Sequence, residues 1–461
     1  MEIQNLHHKT LKIESFTAIP GETWCFCGDN NSGIDAFMAL LAGDLDDFSA
    51  SVLTLPINPG IISFTRQQLL FEEELRRDDS DFLDKIDPGT PVKAFLTDCR
   101  KHRELIRSFD MDHVLNTGYR QLSSGQCKKL LVLQQVTEGK DVIIIQNPYD
   151  GLDRQSCQEL DRVMEKCIEN GIQVFTLVNS PKDIPFWCSH VGYFHRGQLA
   201  RQGEKHTVLS GISKPAADFN SDWTPLFSQT TQNGDKTAIP LVRLRNGFGG
   251  YGDHILFSGL NLEIFPGDHI LITGRNGCGK STLLNIITGD NSKCYANDLS
   301  IFGRQRGSGE SIWEIKQYMG IVSPALHRDY HVPSSTLQAV VSGFFDSIGL
   351  YRKVNVQQLE TARNFLHIIG LADRETTPFR NLSHAHQRLV LIARALIKQP
   401  RLLILDEPSQ GLDDLNRNRL MELMLEIATR RLATILFVSH REDEHHPLFR
   451  QHINLEQFAT R

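Results

Sequence analysis

Residues 269–288 read HILITGRNGCGKSTLLNIIT, and this stretch decides the fold. A short apolar run, HILIT, leads into GRNGCGKS (274–281), and an apolar helix-type pattern follows. Gly274, Gly279, Lys280 and Ser281 have the GxxxxGKS spacing of a phosphate-binding loop. A strand before and a helix after are the context that this reading requires. Backbone N–H groups around Asn276, Gly277 and Gly279, and the helix N-terminus with Thr282 in its first turn, then cradle phosphates. Lys280 places a cation on the β/γ oxygens, and Ser281 offers a hydroxyl to Mg²⁺.

The same frame occurs earlier in the chain. IPGETWCFCG (19–28) matches FPGDHILITG (265–274), and LLAGD (40–44) matches IITGD (286–290), both 246 residues apart. LSSGQ (122–126) matches LSHAH (382–386), and VIIIQNPYDGLD (142–153) matches LLILDEPSQGLD (402–413), now 260 apart. The chain is therefore an internal repeat, with 14 extra residues in the second copy between loop and LS motif. The boundaries read as domain 1 over 1–210, a linker over 211–238 rich in Ser, Thr, Pro, Asn and Gly, and domain 2 over 239–461. Strand–loop–helix units with buried apolar runs such as LLILDE predict an α/β fold, a mostly parallel sheet flanked by helices.

Acids complete a site in the second half. LLILDEP puts Asp406 at a strand end, where it can hold Mg²⁺, and Glu407 next to it, placed to polarise an attacking water. LFVSH supplies His440 at a later strand end, within reach of a γ-phosphate.

Together with LSSGQ, these strings resemble the ATP-binding-cassette (ABC) ATPases, over nearly the whole chain. The resemblance implies ATP and Mg²⁺ as ligands, two tandem P-loop domains each with a helical insertion, and intramolecular head-to-tail pairing of the two. In such a pair, each phosphate loop faces the LSGGQ-type signature of the other domain. It implies an aromatic stacked on adenine, for which Tyr251 is first choice and Phe248 second.

The halves depart from that pattern in complementary ways. In the first, Ile34 replaces the lysine and Asp35 the serine, Gln146 and Asn147 replace the acids, Asn179 takes the histidine's place and Asn5 lies opposite Tyr251. Its signature is sound, with Ser123, Gly125 and Gln126 able to face a γ-phosphate from the other domain. In the second half the loop, acids and histidine are intact, but His384 and Ala385 spoil the signature. One composite site is then complete and the other degenerate. A Gln that the family places at the edge of the helical insertion is absent: GIVSP offers Ser323 or Pro324, and the matching GIISF offers Phe64.

Composition narrows the classes. Lys+Arg 49 against Asp+Glu 55 gives a net charge of −6, so no global field favours nucleic acid or an anionic membrane. RQRGSG (304–309) is a small basic loop that reads as solvated. No apolar run is long enough to span a bilayer, and MEIQNLHHKT lacks a signal-peptide pattern, which predicts a cytoplasmic location, with a peripheral position on the inner face of the membrane open. Nine cysteines without a CxxC read as reduced core thiols, and no N-terminal cysteine cluster offers an iron–sulfur site. NDLSIFGRQRGSGESIWEIKQYMGIVSPALHRDY (297–330) is similar to a tandem subgroup of the family associated by name with molybdate uptake. Three classes stay open: the ATPase component of a transporter with membrane-spanning partner subunits, a soluble ATP-driven switch acting on nucleic acid or protein, and a nucleotide sensor with negligible turnover.

Overall fold

The computed structural model describes all residues except 30–31, 78–86, 213–238, 252–253, 331 and 461, and the side chains of 64, 65, 75, 251, 328 and 442. Most of the linker expected over 211–238 thus lies outside the described residues, as does the side chain of Tyr251. The chain divides into two units: Met1–Ala216 with Gly411–Leu415, and Ala217–Gln410 with Asn416–Arg461.

The first unit carries β1 (Glu2–His8), β2 (Leu11–Thr17), β3 (Trp24–Cys27), β4 (Val52–Thr54), β5 (Gly60–Ile62), β6 (Val142–Gln146), β7 (Gln173–Val178), β8 (His190–His195) and β9 (Gln198–Glu204). They form one sheet in the order β4-β1-β2-β9-β8-β3-β7-β6-β5. The run from β5 to β8 is parallel, and the remaining strands extend it at one side through antiparallel pairs and a parallel β2–β9 contact.

The second unit carries β10 (Val242–Tyr251), β11 (His254–Ile264), β12 (Ile270–Thr273), β13 (Asp298–Ile301), β14 (Arg304–Gln305), β15 (Met319–Val322), β16 (Leu402–Asp406), β17 (Thr434–Val438) and β18 (Gln451–Asn454). A five-stranded parallel sheet runs β15-β16-β17-β12-β18, and an antiparallel sheet runs β11-β10-β13-β14. The order β15-β16-β17-β12-β18 repeats β5-β6-β7-β3-β8 strand for strand. The fold is α/β, as the repeat predicts.

Strand composition explains the topology. β16 is buried at every position, as a central parallel strand covered on both faces must be. Each Leu or Ile buried there stabilises the unit by about 1.5–3 kcal/mol. The extra length of the second copy falls between the helix Lys280–Thr288 and β15, where β13, β14 and the helix Ile312–Lys316 are built. Here one expectation changes. Within RQRGSG, Arg306 is buried, with Nη1 2.7 Å from Glu310 Oε1, so this arginine is a structural pin of the loop and not a solvated charge.

The helical insertions follow β5 and β15. The first includes Phe64–Arg76 and Arg103–Ser108, and the second Pro324–Asp329, Thr336–Val341 and Val356–Ile368. Each leads into a helix that begins at the LS motif, Ser124–Thr137 and His384–Leu396.

Candidate functional site

In the second unit the phosphate loop closes β12 onto the helix Lys280–Thr288, as the strand–loop–helix reading predicts. Gly279 has φ 100°, and a Cβ there would lie 2.8 Å from the ring of Phe257, so both conformation and space require glycine. Gly274 and Gly277 also have positive φ. Lys280 is buried, and its Nζ donates to the carbonyls of Gly274 and Arg275, both at 2.9 Å. The ammonium is thus held inside the loop that would wrap a phosphate. Thr282 is buried in the first helical turn, and Asn276 and Gly277 form the loop's crown.

The sheet brings the other groups to this loop. β12 and β16 both pair with β17, so the ends of three neighbouring strands meet. Ser281 Oγ donates to Asp406 Oδ2 at 3.0 Å. Burial, and then the charge of Glu407, push the Asp406 carboxyl up to about 6, against the pull of Ser281, Arg388 and Lys280. A hydroxyl and a desolvated carboxylate that converge here are oxygen ligands that fit a hard ion such as Mg²⁺. Glu407 Oε1 lies 2.8 Å from His440 Nε2. Burial raises the Glu407 carboxyl, but His440, Lys280 and Arg388 outweigh it and leave it below the usual value. Glu407 also sits at φ 47°, a left-handed conformation that carries strain in a non-glycine residue.

The first unit keeps this backbone and loses its chemistry. Asn147 stands at φ 43°, the counterpart of Glu407, and its N–H bonds Leu177 O as that of Glu407 bonds Val438 O. Sheet register pairs Gln146 with Leu177 and Asp406 with Val438, which sets Asn179 opposite His440. Ile34, in the lysine position, is buried in an apolar cluster with Phe26, Phe37 and Phe194. The place of the cation has become core. Asn5, at φ 50°, bonds Ser51 Oγ through its side chain.

The two LS motifs differ in the same local terms. Ser123 caps its helix with a reciprocal pair: Gln126 N–H donates to Ser123 Oγ at 3.2 Å, and Ser123 N–H to Gln126 Oε1 at 3.0 Å. A Cβ on Gly125 would lie 2.9 Å from Ser156 Oγ, so the helix start packs closely there. In the second unit Ser383 accepts from His386 N–H at 3.4 Å, and the return bond is missing among the described residues. Instead His384 stacks on His327 at 4.6 Å, and His327 Nε2 contacts Gln387 Oε1 at 2.7 Å. The aromatic positions are less complete. Phe248 is half-buried, with the Lys293 ammonium 5.8 Å from its ring centroid. Ser323 spends its hydroxyl as a helix cap, accepting from Leu326 N–H at 3.1 Å, and Pro324 follows it in the first turn.

Sequence reasoning missed a pair of buried cations. Lys128 Nζ donates to the carbonyls of Asn147, Pro148 and Asp150, and Arg388 Nη2 to that of Glu407 at 2.7 Å. Both lie five residues after the LS serine, a signal legible as LSSGQCK and LSHAHQR once the repeat is aligned. They lock the LS helix of each unit to the turn after its own β6 or β16.

Known proteins agree with this architecture. Residues 257–410 match the ABC transporter family model. The chain is 34% identical, over 95% of its length and 91% of the relative's, to the ABC transporter ATP-binding protein ModF of Escherichia coli (strain K12). It is 28% identical, over 43% of its length and 72% of the relative's, to the molybdate import ATP-binding protein MolC of Haemophilus influenzae. A solved structure described as a model of ribosome-bound archaeal Pelota and ABCE1 shares the fold at TM-score 0.61, with 17% identity over 95% of this chain and 73% of that one. No helix among the described residues is long and apolar enough to cross a membrane. The chain belongs to the ABC transporter family, as a tandem ATP-binding ATPase.

Proposed function

We propose that this ATPase has one hydrolytic centre, built on the second domain (239–461), while the first domain (1–210) supplies a signature and no catalysis of its own. The observation that carries the reading is the contrast between equivalent positions. Lys280, Ser281, Asp406, Glu407 and His440 converge in one unit. Their counterparts Ile34, Asp35, Gln146, Asn147 and Asn179 cannot supply the same chemistry.

In this reading the N–H groups of 276–281 and Lys280 bind the phosphates of ATP, and Tyr251 or Phe248 receives the base. Ser281 and Asp406 would hold Mg²⁺, which would supply positive charge to offset that of the phosphates. Glu407, ionised at neutral pH, accepts a proton from the attacking water. His440 orients Glu407 and reaches the γ-phosphate. Ser123, Gly125 and Gln126 close over the same nucleotide, presenting a hydroxyl and helix-start N–H groups. In the degenerate pocket the absent lysine forfeits a charge-assisted contact worth roughly 1.5–3 kcal/mol.

The chain serves as the ATP-binding component of a transport system, working at the inner face of the membrane with spanning partner subunits. The name of one relative, a molybdate import ATP-binding protein, suggests an oxyanion such as molybdate as cargo. A second reading, a soluble ATP-driven switch, draws on Ser323 and Pro324, neither of which offers a free amide to relay nucleotide state. Affinity capture of the Glu407→Gln form from cells separates the two, since integral membrane subunits come down only under the first.

The single-centre geometry is tested with Ser123→Arg and Ser383→Arg. Both remove a capping serine, at about 1 kcal/mol, and Ser123, whose cap is reciprocal, bears the larger folding cost, so turnover is compared per folded protein. Ser123→Arg is expected to abolish turnover while ATP binding persists, and Ser383→Arg to cost far less. Equal losses, or a greater loss from Ser383→Arg, would refute the pairing.

A further inference from the structure

A buried carboxylate beyond the residues named so far lies behind the catalytic pair. Glu444 is fully buried, four residues after His440. Ser439 Oγ donates to its Oε2 at 2.5 Å, and the Ser439 oxygen in turn accepts from Arg441 N–H at 3.0 Å. The Ser409 hydroxyl also hydrogen-bonds this carboxylate. Arg417 Nε lies 3.8 Å from its Oε1, and Arg417 Nη1 3.6 Å from Asp443. Ser409, Ser439 and Arg417 are all buried.

The connectivity gives this cluster its meaning. Ser409 stands two residues after Glu407, and Ser439 one residue before His440. Both lie just past the ends of β16 and β17, where the last cross-strand backbone bonds are Glu407 N–H to Val438 O and Ser439 N–H to Ile272 O. Beyond those ends Glu407 and His440 must still meet at 2.8 Å. One carboxylate bonded to both flanking serines sets the spacing of the two segments. A buried carboxylate is costly to keep unless several partners satisfy it, and burial does raise its proton affinity here. Aligned by sheet register, the first unit has Val178 where Ser439 stands, so the tie is absent from the half that lacks the catalytic pair.

We propose that Glu444 is a positioning residue for ATP hydrolysis, holding His440 and Glu407 in register through Ser439 and Ser409. The proposal rests on the reading of Glu407 and His440 as the hydrolytic pair. It concerns kcat, because the cluster's hydrogen bonds run to the segments that carry Glu407 and His440.

The test measures ATP turnover and ATP binding for Glu444→Gln, Ser439→Ala and their combination in the full chain. Glu444→Gln keeps the volume but turns an amide toward Arg417. Its kcat is expected to fall at least tenfold, with KM for ATP within threefold and melting temperature little changed. Ser439→Ala should show a smaller loss of kcat, and the double variant should be no worse than Glu444→Gln, since both act through one hydrogen bond. A Glu444→Gln protein that is folded and has wild-type kcat overturns the proposal, as do strictly additive losses. If Glu444→Gln does not fold, Ser439→Ala and Ser409→Ala decide, and wild-type kcat in both overturns it. Glu407→Gln is run beside them. If that variant still hydrolyses ATP, the reading of the centre fails; if it is inactive while Glu444→Gln is normal, only the positioning role fails.

Discussion

Replacing Glu407 by Gln separates ATP binding from hydrolysis. The substitution keeps the side-chain shape and an oxygen that can face His440, now 2.8 Å from the carboxylate. It removes the proton acceptor. A positioned general base contributes about 10²–10⁴ in rate, or roughly 2.7–5.5 kcal/mol in barrier. Binding should move the other way. The Glu407 charge is the second cause, after burial, of the raised Asp406 pKa of about 6. Without that charge Asp406 ionises more readily, so Mg²⁺ is captured at least as well as in the wild type. The expected outcome is ATP affinity equal to wild type or better, with phosphate release down at least a hundredfold. Equilibrium nucleotide binding and single-turnover phosphate release with protein in excess measure the two quantities. Phosphate release within threefold of wild type would refute the assignment. So would a loss of ATP binding as large as the loss of turnover, because the geometry gives Glu407 no share in holding the phosphates.

The first-domain pocket predicts a different pattern. Ile34→Ala should cost about 2–5 kcal/mol of stability, because Ile34 is core, not a phosphate contact. Burial and the charge of Asp413 push the Asp35 carboxyl up to about 6, so Asp35→Asn should not lower stability and should leave turnover within threefold of wild type; a tenfold loss of turnover in folded Asp35→Asn would contradict a degenerate pocket. The second unit should be acid-labile. Burial, aided by Arg450, Arg388 and Arg374 respectively, lowers the pKa of His269, His327 and His386 to about 4. Their folded pKa lies below the unfolded value of 6.5, so the unfolded chain binds more protons and stability falls as pH drops from 6.5 toward 4. At pH 5 this is about 2 kcal/mol per histidine. Asp406 and Glu444, both raised, offset part of this loss, while His384, held well below the usual histidine value by burial, adds to it. Thermal unfolding at pH 7 and pH 5 checks this, and an unchanged melting temperature for the second unit would exclude it.

The sequence alone determined the strand–loop–helix unit, the repeat and the α/β class. Those follow from local chemistry: glycine spacing, apolar runs of strand length, and two alignments that tolerate an insertion. It also named the residues at the centre of the proposed site, because loop, acids and histidine each carry a signal within a few residues of chain. What it could not determine is which groups touch. Ile34 read as a missing lysine, whereas packing shows it has joined an aromatic core. Arg306 read as a solvated basic loop, whereas Glu310 holds it buried. Lys128 and Arg388 showed only as a shared position five residues after the LS serine, and Glu444 carried no motif, since their partners are backbone carbonyls and hydroxyls supplied by other strand ends. Such contacts depend on sheet order and register. Those are fixed by burial over the whole unit, and no short stretch of sequence contains them.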